Sequence, residues 1–332
     1  MSAPWWLPPA EIGPAAQWRA WWEGRWEELD GNAATRLARR HGFVLTVDQL
    51  KRTGWSDNDV RREVRRGEWA RVSRGVVSPV VVGTTDDLFL ADRRRHALAA
   101  GGAALLHPDQ VVGARSGAIL HGLPTFAVPD LAQLTERTAQ TLGRRAGGHV
   151  FGAAVRDEDV TTWFGVPVLR VARTVVDLAR HDRFDGIMAA DAALREELVS
   201  RDELQRALAQ ASGWPGVRRA RPLVDLANPK SESPAESITR LRLHDDGFPE
   251  AEPQVVIRDP ERGKSYRVDL LLEGTNLILE VDGLGKYRAG LTAGEKVRET
   301  RLRALGYRVE RVLWDDVVRY WPQTSRRLRA LL

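Results

Sequence analysis

Cysteine is absent from the 332-residue chain, which excludes disulfide bonds and thiolate metal sites. Long apolar runs are absent as well, because no stretch reaches the roughly 18 apolar residues that a membrane helix needs. The first residues lack the basic region and apolar core of a signal peptide. Together these absences predict a cytoplasmic protein that does not contact the membrane.

Lysine is scarce: the chain has 5 lysines against 45 arginines, and its formal net charge is +5. Guanidinium groups bind phosphate oxygens in pairs, so arginine clusters suit nucleic-acid recognition. A genome rich in G and C also encodes arginine in place of lysine throughout its proteins. The total therefore carries less information than the places where arginines cluster.

Length and composition predict two or three globular domains, with 43% hydrophobic and 29% charged residues. We divide the chain into a tryptophan-rich segment (1–31), a small helical and β domain (32–82), a mixed α/β middle region (83–230) and a C-terminal domain (231–332). The last boundary follows the segment NPKSESP at 228–234, which has the composition of a linker.

Three acids lie in a predicted β-hairpin of the C-terminal domain. Its strands are Arg267–Leu272 and Leu277–Asp282, both rich in leucine, isoleucine and valine. Because strand side chains alternate, Glu280 and Asp282 share one face, and Asp269 is a cross-strand neighbour if the register allows.

Closely spaced acids in an apolar hairpin repel one another. Two like charges about 4 Å apart cost about 4 kcal/mol at an effective dielectric constant near 20. One acid then keeps its proton or a cation lies between them, and oxygen ligands suit Mg²⁺ or Mn²⁺. Alternatively, Glu280 and Asp282 lie on a solvated face and pair with arginines.

The elements around the hairpin carry a resemblance. Ser233 begins a helix with Glu236 at capping-box spacing, and a later helix runs from about Thr292 to Leu305. The order is helix, three strands, helix, strand, helix. This order and the acids resemble the PD-(D/E)XK nuclease fold, in the branch similar to very-short-patch-repair endonucleases. The resemblance implies a restriction-endonuclease-like αβββαβ domain over 231–332.

The same resemblance implies roles for the acids. Asp269 and Glu280 would hold Mg²⁺ (or Mn²⁺) with Asp282 as a third ligand, Glu236 would orient water or a second ion, and Lys286 would stabilise phosphate charge. The usual lysine two positions after the glutamate is replaced here by Asp282. Lys286 is the nearby lysine that takes over the charge from another backbone position.

Residues 32–80 predict a winged helix-turn-helix. A helix runs from Ala33 to His41, Thr46 caps a second, and Ser56 caps a third that carries four arginines. Two short strands follow, with a turn near Arg74. In such a unit the third helix enters the major groove of DNA. The expected contacts are the arginines of the third helix and of the wing: Arg61, Arg62, Arg65, Arg66, Arg71 and Arg74.

This segment, with its motif WARVSRGV, resembles the winged helix of AbiEi-type antitoxins, as do the downstream segments ARSGAILHGLP and VARTVVDLAR. The resemblance implies a transcriptional repressor that binds its own promoter, and it leaves open a cognate toxin as a protein partner. The alternative is a winged helix that contacts protein, with its arginines solvated.

Tryptophans recur every four residues at Trp18, Trp22 and Trp26 and predict one aromatic helix face. Such a face is expected to pack on the protein's own core; a stacking platform for nucleic-acid bases is the alternative. The middle region predicts several helices and short strands. His107, His121 and His149 are too scattered for a metal site.

The combined prediction is a DNA-binding protein whose C-terminal domain cleaves phosphodiester bonds with Mg²⁺. The alternative is a regulator or antitoxin-like repressor that keeps an inactive nuclease fold. The sequence leaves the oligomeric state and the recognised DNA open.

Overall fold

The computed structural model describes residues 15–83, 87–136, 143–145, 148–152, 154–282 and 293–332. It shows a mixed α/β chain with several sheets, as predicted. Its helices are α1 (Ala15–Glu28), α2 (Ala33–Arg39), α3 (Val47–Arg52), α4 (Asp57–Arg66), α5 (Leu88–Leu106), α6 (Ala114–Leu120), α7 (Val171–His181), α8 (Arg183–Arg195), α9 (Arg201–Gln210), α10 (Val217–Leu226), α11 (Pro234–Asp245), α12 (Ala293–Ala304), α13 (Trp314–Val318) and α14 (Trp321–Arg329).

The strands form three separate sheets. They are β1 (Leu45–Thr46), β2 (Ala70–Ser73), β3 (Val76–Ser78), β4 (Gln110–Val112), β5 (Ala132–Glu136), β6 (Gly143–Arg145), β7 (Gly148–Gly152), β8 (Val160–Trp163), β9 (Val166–Leu169), β10 (Ala251–Asp259), β11 (Lys264–Leu272), β12 (Leu277–Asp282) and β13 (Arg308–Leu313). In the described part of the chain, no helix is long and apolar enough to cross a membrane.

The N-terminal unit has the element order of a winged helix, with α2, α3 and α4 followed by the β2–β3 hairpin. β1 pairs with β3, so the sheet order is β1-β3-β2. Thr46 and Ser56 cap their helices through reciprocal bonds with Gln49 and Asp59, and α4 ends at Gly67 (φ 78°). The helix starts at Thr46 and Ser56 agree with the prediction. The unit is consistent with a winged helix-turn-helix.

Helix α1 packs on the protein's own core, as expected from its tryptophans. Trp18 and Trp22 are buried in a cluster that also holds Phe43 and Trp163. The indole of Trp18 donates a hydrogen bond to the Leu120 carbonyl oxygen (3.2 Å). This aromatic face is therefore covered by protein. Trp5 and Trp6 lie outside the described residues.

The middle region contains a six-stranded mixed sheet in the order β6-β7-β5-β4-β9-β8. Helices α7 to α10 pack together beside it, and the segment FGVPVLRVARTVVDLARHD forms β9 and α7. The sequence reading missed β4, β6 and β8. These strands have three or four residues each, too short to show a periodic pattern.

The C-terminal region has the predicted element order, with α13 added before α14. Its sheet runs β10-β11-β12-β13, and the last pair is parallel because α12 crosses over between β12 and β13. One apolar core joins helices α7 to α10 with α11 and this sheet, and α12 covers the other face. The boundary at 230/231 remains a prediction, since packing is continuous across it.

A buried ion pair also crosses that boundary. Arg240 of α11 donates to Asp191 of α8 (3.2 Å), to Ser231 Oγ and to the Leu226 carbonyl oxygen. Asp191 accepts a further bond from the Asn228 backbone N–H, and burial raises the pKa of Asp191. The predicted linker is thus held by hydrogen bonds on both sides.

Candidate nucleic-acid interface and acidic cluster

Helix α4 presents its four arginines in two different electrostatic states. Arg62 is bound to Asp59 (2.8 Å) and Glu63 (3.0 Å), and Arg66 lies 3.4 Å from Glu63. Arg61 and Arg65 are exposed, and no ion pair joins either to an acid in the described chain. Of these four arginines, Arg61 and Arg65 are the two whose charges remain uncompensated.

Helix geometry places the four arginines in two rows, and Asp57, one turn before Arg61, pairs with Lys51 (3.0 Å). Residues four apart lie on the same side of a helix, so Arg61 and Arg65 form one row and Arg62 and Arg66 the next. Val60 and Val64 pack in the core of the unit and fix the rotation of α4. The row of Arg61 and Arg65 therefore faces solvent.

The wing adds two more exposed arginines. Arg71 on β2 and Arg74 in the β2–β3 turn have no ion pair within the described residues. Gly75 follows with φ 77°, a conformation that glycine adopts without strain, and it lets the turn stay tight. Within the described chain, α4 and the wing thus offer four uncompensated cations: Arg61, Arg65, Arg71 and Arg74.

Three of the four predicted acids lie on neighbouring strands, Asp269 within β11 and Glu280 and Asp282 at the end of β12. The antiparallel register pairs Leu270 with Leu279 and so brings Asp269 opposite Glu280. Asp269 Oδ2 accepts a hydrogen bond from the Val281 N–H (2.9 Å). The predicted cross-strand neighbourhood is therefore observed.

Glu280 and Asp282 share the face of β12 that carries Ile278, as the alternation predicted, and both have arginine partners. Arg298 of α12 donates two bonds to the Glu280 carboxylate (3.0 and 3.1 Å). Arg311 of β13 donates to Asp282 Oδ2 (2.5 Å). These pairs correspond to the alternative of arginine pairing that the hairpin sequence left open, although Glu280 is buried and not solvated.

Glu236 reaches the cluster from α11. Ser233 Oγ accepts from the Glu236 N–H (3.2 Å), so the predicted N-cap is confirmed. The Glu236 carboxylate does not complete the capping box; it accepts instead from the Glu232 N–H (3.1 Å) and the Gln254 side-chain amide (2.9 Å). Helix α11 positions Glu236, and the donors to its carboxylate come from the residues before that helix and from β10.

Burial and mutual repulsion perturb these carboxyls. Burial raises the pKa of Glu280, the Asp269 charge raises it further, and Arg298 partly opposes both effects. Burial likewise raises the pKa of Glu236, with a smaller contribution from Asp269, against hydrogen bonds from Glu232 and Gln254. The charge of Asp269 therefore raises the pKa of both glutamates.

Gln254 is a site residue that the sequence reading missed. It lies on β10 at φ 59°, a conformation that non-glycine residues seldom adopt. In the β10–β11 register, Pro253 pairs with Leu270 and Val255 pairs with Val268, but Gln254 and Asp269 between them are not paired. Strained backbone of this kind often occurs at functional sites. The residue types of β10 give no sequence signal for this conformation.

The arrangement does not fit a divalent ion as it stands. Among the residues described, no three acidic or histidine side chains are placed to hold a metal. Arg298 and Arg311 already supply positive charge to Glu280 and Asp282. Lys286 lies outside the described residues. The Mg²⁺ site and the roles of the acids therefore stay predictions.

A separate cleft of about 740 Å³ opens between α1, β8 and the helices α7 and α9. Its lining contains arginines and acids in similar number, among them Arg170, Arg206, Glu158 and Glu203. His121 at its edge is bonded to the Leu169 carbonyl oxygen (2.7 Å). A lining of balanced charge does not select a ligand, so we assign the cleft no role.

Comparison with known proteins places the N-terminal unit in a family. Residues 32–79 match the family described as transcriptional regulator, AbiEi antitoxin. Two curated Mycobacterium tuberculosis proteins, uncharacterized protein MT2308 of strain CDC 1551 and uncharacterized protein Rv2248 of strain H37Rv, are each 34% identical over 151 residues. The match covers 45% of this chain and 55% of each relative, so the chain spans about half of their length.

Among solved structures, the crystal structure of RV2827C protein from Mycobacterium tuberculosis aligns with a TM-score of 0.35 and 19% identity. The alignment covers 72% of this chain and 90% of that chain. The family match itself covers the winged unit, and the expectation of an AbiEi-type antitoxin domain is confirmed there.

Proposed function

We propose that this chain is a DNA-binding transcriptional regulator of the AbiEi antitoxin type, which reads DNA through its winged helix. The observation that carries the proposal is the row of uncompensated arginines on α4 and the wing, in the segment that matches the family. When these arginines bind phosphates, they displace the small cations that are condensed on the DNA. The release of those cations drives association.

The two arginine rows of α4 supply a matched test. Arg61→Ala with Arg65→Ala removes two uncompensated charges, whereas Arg62→Ala with Arg66→Ala removes two that already pair with Asp59 and Glu63. Each phosphate contact contributes about 0.9 to the slope of log affinity against log salt concentration. We expect the first double variant to lower that slope by about 1.8 and the second to change it much less.

The measurement is fluorescence anisotropy of the full chain with duplex DNA from upstream of its own coding sequence, across a KCl series. An unrelated duplex of equal length reports sequence-independent binding. Tight binding to the upstream duplex supports a regulator, and equal loss in both double variants contradicts the division of the arginines. Absence of salt-sensitive binding to either duplex contradicts the proposal as a whole.

The family description also makes a cognate toxin the expected protein partner of an antitoxin. That expectation rests on the match at residues 32–79. Co-expression with the product of the neighbouring gene, followed by a growth assay, tests it. Growth arrest that this chain relieves is the expected result.

A second candidate function is metal-dependent DNA cleavage by a PD-(D/E)XK domain over 231–332. The observation in its favour is the αβββαβ order together with Glu236, Asp269 and Glu280 around the strained Gln254. We assign no catalytic step to a metal, because arginines now occupy Glu280 and Asp282. Cleavage would first require Arg298 to release Glu280.

Cleavage of plasmid, linear and single-stranded DNA with Mg²⁺, Mn²⁺ or EDTA tests this second function. Asp269→Ala and Glu280→Ala should each abolish a metal-dependent activity while the chain stays folded. If the wild type leaves every substrate intact with either metal, the C-terminal domain acts without hydrolysis. Transcriptional regulation is then the proposed function that remains.

A further inference from the structure

The β10–β11 hairpin extends beyond the acidic cluster as a rigid two-stranded arm. Its register is continuous from Val255 paired with Val268 to Asp259 paired with Lys264. Five residues in each strand span about 16 Å. On one face Ile257 and Val268 pack against Leu302 of α12, so the arm is fixed to the domain.

The tip of the arm is fixed by a local network of charges. Asp259 accepts bonds from the backbone N–H groups of Glu261 and Arg262, which closes the turn. Arg301 of α12 binds the Asp259 carboxylate (2.8 and 3.0 Å) and Glu261 (3.0 Å). Both acids of the tip are therefore ion-paired with Arg301.

Arg301 neutralises one of these two acids, and three further cations of the arm outnumber the negative charge that remains. Arg258, Arg262 and Lys264, hereafter the hairpin cations, are exposed and form no ion pair within the described chain. Arg258 lies on the open face beside Val256, which is 56% exposed. Lys264 is paired with Asp259 and so lies on the opposite face, and Arg262 lies in the turn between them. The hairpin therefore offers cations on both of its faces to an external anion.

We infer that the β10–β11 hairpin is a second DNA-contact surface, which binds the phosphate backbone through the hairpin cations. Three cations without ion pairs within seven residues of a hairpin that is fixed to the domain suit a polyanion, because little backbone order has to be gained on binding. The contacts go to phosphates, so they add affinity without reading sequence. This inference rests on the DNA binding proposed for the winged helix.

The test compares variants that remove the same charge. Arg258→Ala, Arg262→Ala and Lys264→Ala remove the hairpin cations; Arg19→Ala, Arg95→Ala and Arg303→Ala remove three exposed arginines that are ion-paired with Glu23, Asp92 and Glu299. Both triple variants are made in the full chain, and circular dichroism verifies folding. Binding is measured by fluorescence anisotropy on a 40-base-pair duplex from 50 to 300 mM KCl.

If all three hairpin cations contact phosphates, the slope of log affinity against log salt falls by about 2.7. At 0.1 M KCl that corresponds to a loss on the order of 10²-fold in affinity or more. The triple variant of the ion-paired arginines should stay within about threefold of the wild type. These two results together support the second surface.

Equal losses in the two triple variants would show an effect of overall charge and overturn the inference. An unchanged slope in the hairpin variant would overturn it too, and would leave the arm for an acidic protein partner. The Arg61→Ala and Arg65→Ala variant separates the two proposals. If it loses binding while the hairpin variant does not, the regulator survives and the second surface fails.

Discussion

Removal of Arg298 tests how the acidic cluster is stabilised. In the wild type its guanidinium donates two bonds to Glu280, whose side chain is only 9% exposed, while that of Arg298 is 29% exposed. Arg298→Gln keeps much of the length of the side chain but removes the charge. Glu280 is then left buried beside Asp269 without its cation.

The expected cost follows from the burial of the pair. Breaking a fully buried ion pair costs about 3–5 kcal/mol, and an exposed one less than about 1 kcal/mol. Since Arg298 is partly exposed, we expect the free energy of unfolding to fall by about 2 kcal/mol. Arg303→Gln is the matched control on the same helix, because its pair with Glu299 is exposed (61% for Arg303) and should matter little.

The loss should depend on pH in a definite direction. Arg298 lowers the pKa of Glu280, which burial and Asp269 raise, so the variant has a still higher pKa. A folded carboxyl with a raised pKa binds protons that the unfolded chain has released. Stability therefore falls as pH rises from the ordinary glutamate pKa through the raised one. We expect a smaller loss at pH 5 than at pH 8.

Urea unfolding followed by circular dichroism at both pH values measures this difference. A loss of equal size at pH 5 and pH 8, or no loss at all, would refute the reasoning. The same variant tests the predicted metal site. If Arg298 blocks an ion, 5 mM Mn²⁺ should stabilise Arg298→Gln more than the wild type, by about 2.7 kcal/mol when the ion is at 100 times its dissociation constant.

Two further predictions concern the core. Arg240→Met leaves Asp191 buried without its cation and should lower the free energy of unfolding by about 3–5 kcal/mol in urea; a change below about 1 kcal/mol would contradict the role of this pair. Trp22→Ala should cost about 3–5 kcal/mol in the same assay, while the DNA affinity of the folded variant stays unchanged. A selective loss of DNA binding would instead favour the aromatic platform.

Caps and strand parity were readable in the sequence because they depend on neighbours in the chain. Ser56, Thr46 and Ser233 begin their helices where the capping pattern predicted. The alternation of β12 likewise put Glu280 and Asp282 on one face, as observed. Each inference spans a few residues, over which backbone geometry alone decides the outcome.

The partners of the acids were not readable in the same way. Arg298 is 18 residues from Glu280, and Arg311 is 29 from Asp282. With arginine at 45 positions, the sequence offers many candidates for each carboxylate. The sequence gives no sign of the positive φ of Gln254 either, and the side-chain partner of Gln254, Glu236, is 18 residues away.

The sequence by itself determined the element order of the winged unit, its basic third helix and the element order of the C-terminal region. These features follow from periodicity and capping, which act over short distances along the chain. The register of β11 and β12, which the sequence left open, brings Asp269 opposite Glu280. Only the tertiary structure decided which charges remain uncompensated. Folding pairs Arg62, Arg298, Arg301 and Arg311 with acids and leaves Arg61, Arg65 and the hairpin cations open, because ion pairs form between side chains that packing brings within reach.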